Sequence, residues 1–122
     1  MESIWRRTAD LPRFAPLEGD LKTDVLIIGG GLAGLLCAYW LDRAGADCAL
    51  VEADRICGGV TGNTTAKLTF QHGLIYARLL REFGPERARL YLEANRGALG
   101  KYRELCRDID CDFQERDAFA YA

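Results

Sequence analysis

Histidine, proline and paired cysteines are scarce in this sequence, and their scarcity narrows the chemistry it supports. The 122 residues include one histidine, three prolines and five cysteines. No two cysteines stand in a CxxC pair, and an odd number without such spacing indicates neither a zinc site nor a disulfide framework. Unpaired thiols are typical of a reducing compartment, so we expect a cytoplasmic protein.

Long apolar runs and long runs of one charge are also absent from the sequence. The N-terminal segment MESIWRRTADLPRF lacks the apolar core of a secretory signal, and no run approaches the length of a membrane-spanning helix. The net charge of -2 attracts neither nucleic acid nor an anionic membrane surface. We therefore expect no nucleic-acid partner and no membrane partner.

The composition is that of a globular protein with an N-terminal leader. Hydrophobic residues make up 49% of the chain and charged residues 28%, and the length suits one modest domain with a single core. Residues 1–23 contain two of the three prolines and show no periodicity. They predict an irregular leader, anchored by Trp5 and Phe14, and residues 24–122 predict the domain that it covers.

A strand, a helix and a second strand are predicted directly after the leader. The β-branched apolar run from Asp24 to Ile28 predicts a parallel strand buried on both faces. Leu32 to Ala44 is rich in Leu and Ala, and the following Gly45 predicts a left-handed helix terminator. The segment CALVE, from Cys48 to Glu52, predicts a second buried strand. Together these elements have the size of one right-handed crossover unit.

The second half of the chain is predicted to be a loop followed by helices. A Gly- and Thr-rich stretch after Glu52 predicts a long, ordered loop. Helices are predicted from Leu74 to Phe83 and from Pro85 to about Arg107, separated by Gly84. The apolar residues of the second helix fall close to one face: Ala88, Tyr91, Leu92, Leu99, Tyr102 and Cys106. The final segment CDFQERDAFAYA predicts one or two strands.

Three glycines between the first strand and the first long helix form a GxGxxG motif. Gly29 permits the tight turn, Gly31 lets the backbone approach a pyrophosphate, and Gly34 lets the helix pack closely on the strand. The phosphate then meets the free amides at the helix N-terminus. Glu52, at the end of the second strand, is placed to accept the ribose hydroxyls of an adenosine and to repel a 2'-phosphate, which disfavours NADP. A glycine turn without a ligand is the alternative interpretation.

The loop after Glu52 distinguishes FAD from NAD. An NAD domain usually continues with another short crossover, whereas this chain continues with small and hydroxyl-bearing residues. These are Gly58, Gly59, Thr61, Gly62, Asn63, Thr64 and Thr65. Such residues let a backbone lie against the ribityl and isoalloxazine end of a flavin. The patterns indicate an α/β fold, a partial Rossmann-like FAD/NAD(P)-binding domain with a parallel sheet and helices, and they favour FAD as cofactor.

A family resemblance extends over nearly the whole chain. The segments DVLIIGGGLAGL and LVEADRICGGVTGNTTAKLTFQHG resemble the N-terminal part of FAD-dependent oxidoreductases of the D-amino-acid oxidase (DAO) superfamily. Within it, the stretches SIW, TGNTTAKLT and QHGLIY are most similar to the branch whose members often carry a C-terminal Rieske iron-sulfur domain.

The resemblance implies which residues contact FAD. Those expected at the pyrophosphate are Gly29, Gly31, Leu32, Ala33 and Gly34. Those expected at the adenosine are Glu52 and Ala53, at the ribose, and Arg55, near the adenosine half. Those expected at the phosphates, the ribityl chain and the flavin ring are Thr61, Gly62, Asn63, Thr64, Thr65 and Ala66.

Two side chains near the end of the loop are candidates for catalysis. Related oxidases commonly place a basic or polar group against the flavin here, and the ammonium of Lys67 near flavin N1 or N5 would favour the reduced, anionic ring. Imidazole exchanges protons near neutral pH, so His72, the only histidine, is a candidate for proton transfer. The alternatives are a solvent-facing lysine and a structural or helix-capping histidine. Cys57 is expected to be an inert thiol.

The sequence supports three hypotheses about function. The leading one is the N-terminal part of an FAD-dependent oxidoreductase that passes a hydride from a small-molecule substrate, such as an amine or amino acid, to flavin. Electrons would then pass to an acceptor or an iron-sulfur module. The others are a non-catalytic nucleotide-binding module and an NAD-dependent dehydrogenase domain. We expect the chain to be truncated relative to superfamily members, and inactive alone, because a substrate domain and later strands are missing.

Overall fold

The structure, a computed structural model, describes residues 3–121 and divides after Thr65 into two compact units. The N-terminal unit contains helix α1 (Ile4–Thr8), strand β1 (Val25–Ile28), helix α2 (Leu32–Arg43), strand β2 (Cys48–Val51) and a 3-10 helix (Thr61–Asn63). The C-terminal unit contains helix α3 (Ile75–Cys106).

The sheet of the N-terminal unit has the predicted crossover topology. Strands β1 and β2 are parallel neighbours, with Val25 opposite Cys48 and Ile28 opposite Val51. Helix α2 connects the two strands and packs against both of them. The predicted strand, helix and strand are therefore confirmed, and with them the α/β class.

Helix α2 ends where the sequence predicts, and its last carbonyls are satisfied. Gly45 adopts a φ of 77°, and its N–H donates to the carbonyl of Asp42 at 2.9 Å. The N–H of Ala46 donates to the carbonyl of Leu41 at 3.0 Å. This pair of bonds around a left-handed glycine is the Schellman arrangement, which stops the helix and turns the chain toward β2.

The sheet is covered on one face only within the N-terminal unit. Ile27 of β1 is 9% exposed, whereas its neighbours Leu26 and Ile28 are 53% and 82% exposed. The prediction of a first strand buried on both faces is therefore wrong for the face that carries Leu26 and Ile28. The physical reason is that this unit supplies one packing helix, α2, and side chains of a strand alternate between its two faces.

The leader is irregular except for α1, and one of its two predicted anchors is correct. The indole N–H of Trp5 donates to the carbonyl of Thr64 at 2.7 Å, which fastens α1 to the loop around the 3-10 helix. Phe14 is 74% exposed, so the prediction that it anchors the leader is wrong. The sequence shows that Phe14 is apolar but not whether folding brings other apolar groups against it. The boundary between leader and domain at residue 24 stays a prediction.

Helix α3 is two helices that meet at a kink, as the sequence predicts. Gly84 has φ 78° and ψ 171°, and Pro85 follows it. The predicted apolar face of the second half is confirmed, because Ala88 is 5% exposed and the other members are partly buried. Tyr76 and Tyr91 lie on opposite sides of the kink, with ring centroids 6.1 Å apart in an edge-to-face arrangement. Within residues 3–121, no helix combines the length and the apolar character that crossing a bilayer requires.

The C-terminal segment does not form the predicted strands. Residues 112–121 are irregular, and the guanidinium Nε of Arg103 on α3 holds Glu115 Oε1 at 2.7 Å. A strand needs another strand to pair with, and the described part of the C-terminal unit contains no strand. The strand prediction is therefore wrong.

The kink at Gly84 generates a paired prediction about stability. Its φ and ψ lie in a region that is essentially restricted to glycine, so Gly84→Ala should lower the free energy of unfolding by about 1–3 kcal/mol. Gly97 lies in the same helix with open space around its missing Cβ, so Gly97→Ala should raise the free energy by about 0.5–1 kcal/mol. Urea unfolding followed by circular dichroism measures both. Equal changes in the two variants would contradict the assigned kink.

Candidate functional site

The glycine turn between β1 and α2 is tightly packed. Gly29 adopts a φ of 106°, and its N–H donates to the carbonyl of Val51 at 2.8 Å. A Cβ at Gly34 would overlap the carbonyl oxygen of Gly29, so glycine is required for the helix to approach the strand. At Gly31 a Cβ would meet only the hydroxyl of Thr61, at the ordinary contact distance of 3.4 Å. No described protein atom therefore requires glycine at position 31.

Gly30 is a structural part of the site that the sequence motif did not identify. It is buried, and a Cβ there would lie 2.9 Å from Cγ2 of Ile56. Its N–H donates to Glu52 Oε2 at 2.6 Å, and its carbonyl accepts from the N–H of Cys57 at 2.8 Å. Gly30 occupies a variable position of GxGxxG, and the run of three successive glycines was the signal that its position is also constrained.

Glu52 is held by backbone amides at the end of β2. The N–H of Gly30 donates to Oε2 of Glu52, and the N–H of Asp54 donates to Oε1 at 3.1 Å. The bonds from Gly30 and Asp54, and a smaller one from Ala53, hold the pKa of Glu52 below its usual value, with partial desolvation opposing them. The group is exposed, and a carboxylate has about four acceptor positions, so further positions can accept hydroxyl donors.

The loop after β2 reaches the start of α2 through Thr61. The hydroxyl of Thr61 accepts from the N–H of Leu32, the first residue of α2, at 2.9 Å. Gly62 is buried, and a Cβ there would overlap the carbonyl oxygen of Cys57. The side chain of Asn63 donates to the carbonyl of Gly59 at 2.8 Å within the loop. The sequence-predicted loop is therefore ordered against the glycine turn.

The structure brings some predicted site residues together and leaves others apart. Hydrogen bonds join the glycine turn to Glu52 and the first residue of α2 to Thr61. The remaining predicted members of the N-terminal unit are exposed: Ala33, Ala53, Arg55 and Thr65. Thr64 is exposed and receives the Trp5 bond. Their contacts with a ligand stay predictions.

The other predicted residues belong to the C-terminal unit. Ala66 has a φ of 56°, and the side chains of Lys67 and His72 are exposed. The backbone carbonyl of His72, rather than its imidazole, accepts a bond from the N–H of Ile75 at the start of α3. The roles of Lys67 and His72 therefore stay predictions.

Neither a reactive thiol nor a metal centre is indicated among the described residues. Burial raises the pKa of the Cys57 thiol, which keeps it in the unreactive protonated form, as expected from the sequence. Within residues 3–121, no group of three or more His, Cys, Asp or Glu side chains is arranged to hold a metal ion.

Comparison with known proteins gives a family match and several relatives. Residues 24–122 match the sequence model of the family described as FAD dependent oxidoreductase (DAO). A Bacillus subtilis protein named as a Rieske 2Fe-2S iron-sulfur protein, YhfW, is 43% identical over 122 residues, which cover 98% of this chain and 24% of that protein. Gamma-glutamylputrescine oxidoreductase of Escherichia coli is 28% identical over 116 residues, which cover 91% of this chain and 27% of that enzyme.

A more distant match and one negative result complete the comparison. The tRNA 5-methylaminomethyl-2-thiouridine biosynthesis bifunctional protein MnmC of Chromohalobacter salexigens is 36% identical over 87 residues, covering 71% of this chain and 11% of that protein. The chain therefore spans about a quarter, or less, of the length of these relatives. No solved structure gives a significant match.

The amide bonds to Glu52 predict how stability depends on pH. Because folding holds the pKa of Glu52 below its usual 4.5, the ionised carboxylate stabilises the folded chain above about that pH. This contribution is lost as the pH falls through the folded-state pKa. Glu52→Gln should therefore lower the thermal midpoint at pH 7, and the difference from the parent chain should shrink below pH 4.5.

Glu18→Gln is the control for the Glu52 substitution. Glu18 is an exposed leader carboxylate, so its substitution should change the midpoint little at either pH. Differential scanning fluorimetry across a pH series compares the three chains. A Glu52→Gln effect of the same size at pH 3 and pH 7 would contradict the assignment of the amide bonds to the ionised form.

Proposed function

This chain belongs to the DAO family of FAD dependent oxidoreductases, and on that premise we propose that its glycine turn, Glu52 and the following loop hold FAD. The similarity to YhfW supports the resemblance to the branch whose members often carry a C-terminal Rieske domain. The observation that carries the proposal is the convergence of three parts of the chain at the start of α2. Gly30 binds the carboxylate of Glu52, and Leu32 binds the hydroxyl of Thr61.

The turn fits a diphosphate. The first amides of an α-helix lack partners inside the helix, and with the helix dipole they attract an anion. The hydroxyl of Thr61, which accepts from the first amide of α2, is neutral and adds no negative charge there. Gly31 has no packing reason to be glycine, which supports its role in letting a ligand approach the backbone. Leu32, Ala33 and Gly34 extend the same surface along the first turn of α2.

Glu52 fits the ribose of an adenosine. Two of its acceptor positions are used by backbone amides, which orient the carboxylate at the end of β2. The remaining positions are proposed to accept ribose hydroxyls, with Ala53 beside the sugar and Arg55 near the adenosine half. A carboxylate at this position would repel a 2'-phosphate, so NADP is not proposed.

The segment from Thr61 to Ala66 is proposed to approach the phosphates, the ribityl chain and the flavin ring. FAD, when bound, supplies the acceptor of a hydride, and the protein supplies binding, orientation and electrostatics. Lys67 is proposed to place positive charge near the ring, and His72 to exchange protons with the substrate.

The activity of the whole protein is proposed from the family and its named members. We propose oxidation of a small amine or amino acid, since one relative is named for gamma-glutamylputrescine. An iron-sulfur module is proposed as electron acceptor, since another is named as a Rieske protein. All five cysteines are free, which fits a cytoplasmic location.

Gly31 provides a direct test of FAD binding. The backbone of Gly31 has a φ of -81°, which alanine also adopts, so Gly31→Ala should fold normally. If the pyrophosphate approaches this backbone, the added methyl should raise the dissociation constant of FAD at least about tenfold, or 1.4 kcal/mol. Quenching of flavin or tryptophan fluorescence measures the constant. Gly97→Ala, a glycine substitution in α3, should leave it unchanged.

The same titration separates FAD from NAD and from a turn without a ligand. Excess NAD should fail to displace FAD if the loop after β2 contacts the flavin half. Equal competition by NAD would favour a dehydrogenase domain, and unaltered FAD binding by Gly31→Ala would contradict the proposed pyrophosphate contact.

Lys67 predicts an effect on the redox properties of bound FAD. Removing positive charge from the neighbourhood of the ring disfavours the anionic reduced form, so Lys67→Met should lower the reduction potential. Spectroscopic titration against a reference dye measures that potential. Lys22→Met, in the leader, is the matched control and should leave it unchanged. A parent-like potential in Lys67→Met would place this lysine away from the ring.

A further inference from the structure

A cleft lined by arginines lies between the leader and the segment after β2. Its volume is about 210 Å³. Three separate parts of the N-terminal unit each contribute one arginine to its lining: Arg6 on α1, Arg13 in the irregular leader and Arg55 after β2. Asp10 contributes the one carboxylate in the lining. We call this feature the arginine cleft.

Contacts within the N-terminal unit hold two of the segments that line the arginine cleft. The bond from Trp5 to the carbonyl of Thr64 holds α1, and Nε of Arg6 lies 3.1 Å from the position that a Cβ would take at Gly62. On the opposite wall, the N–H of Gly58 donates to the carbonyl of Arg55 at 3.0 Å. These contacts hold the segments that carry Arg6 and Arg55, and Arg13 joins the same lining from the irregular leader.

The positive charge of the cleft is not neutralised by the protein. Among residues 3–121, none of the three guanidinium groups forms an ion pair or a side-chain hydrogen bond. In particular, none of them pairs with Asp10. Arginines on α3 behave differently, because Arg78 and Arg103 pair with Glu82 and Glu115 at 3.0 Å and 2.7 Å. Three arginines against one aspartate give the lining an excess of positive charge, and such an excess attracts anions.

We propose that the arginine cleft binds a phosphate group, either inorganic phosphate or the phosphate of a small phosphomonoester. Guanidinium forms paired, charge-assisted hydrogen bonds with phosphate oxygens, and several arginines match the several oxygens of one phosphate. The volume admits a phosphate with a small organic substituent, for which Leu11, Pro12 and Ile56 provide apolar contact. The cleft shares Arg55 with the proposed adenosine contacts, its other two arginines lie outside the proposed FAD site, and phosphate binding to it is testable without FAD.

Titration with sodium phosphate at constant ionic strength tests the proposal. The chain should show saturable binding by calorimetry, and Arg13→Gln should raise the dissociation constant about tenfold or more, as expected for a lost charged hydrogen bond. Arg13 lies in a segment without regular structure, so this substitution is compatible with folding. Arg7→Gln is the matched control, because Arg7 lies on α1 and does not line the cleft.

Asp10 provides a test that misfolding cannot imitate. Removing its negative charge should strengthen phosphate binding, so Asp10→Asn should lower the dissociation constant severalfold. Absence of saturable binding in the parent chain would overturn the proposal. So would equal weakening by Arg7→Gln and Arg13→Gln, or weaker binding by Asp10→Asn.

Repeating the phosphate titration with saturating FAD distinguishes the sources of the phosphate. Retained binding supports a site for a separate small anion, and displaced binding supports a site that serves the phosphates of the dinucleotide. If FAD does not bind the chain at all, the phosphate titration still shows whether the arginine cleft binds phosphate. Failure of one proposal can therefore be told apart from failure of the other.

Discussion

The bond between the Gly30 amide and the Glu52 carboxylate is the constraint on which the candidate site depends. It joins the turn after β1 to the end of β2, two points separated by 22 residues in sequence. The carbonyl of Gly30 then binds the amide of Cys57, so the loop after β2 is fixed to the same residue. One small, buried residue therefore sets the relative positions of a helix start, a carboxylate and a loop.

The Glu52 carboxylate and the first amide of α2 have different partners in this arrangement. Glu52 accepts from Gly30, which precedes the helix, whereas the first helical amide receives only the neutral hydroxyl of Thr61. A carboxylate at the latter position would satisfy the helix dipole internally and repel a diphosphate. The backbone amides that lower the pKa of Glu52 favour its ionised form, and its remaining acceptor positions are the ones proposed for the ribose hydroxyls. The proposed contacts thus differ for the two parts of an adenosine diphosphate: backbone amides donate to the diphosphate, and the Glu52 carboxylate accepts from the ribose hydroxyls.

Local features were predictable from the sequence, and features that join distant segments were not. Gly45 predicts the end of α2 and Gly84 predicts the break in α3, because glycine readily adopts positive φ values. Both residues have positive φ. The Gly30 to Glu52 bond and the convergence of Arg6, Arg13 and Arg55 depend on how separate segments fold against one another. The exposure of Leu26 and Ile28 on β1 was not predictable for the same reason. An apolar run indicates a strand but not how many elements cover its faces.

The sparse packing of the N-terminal unit links ligand binding to its stability. Two short strands with one covering helix bury few side chains completely, and Leu26 and Ile28 remain exposed. The glycine turn, Glu52 and Thr61 are held mainly by hydrogen bonds, which contribute only about 1 kcal/mol each after competition with water. A ligand that bridges these groups in the folded state would stabilise it by RT ln(1 + [L]/Kd). The contacts proposed for recognition are therefore also the ones through which a bound dinucleotide would stabilise the fold.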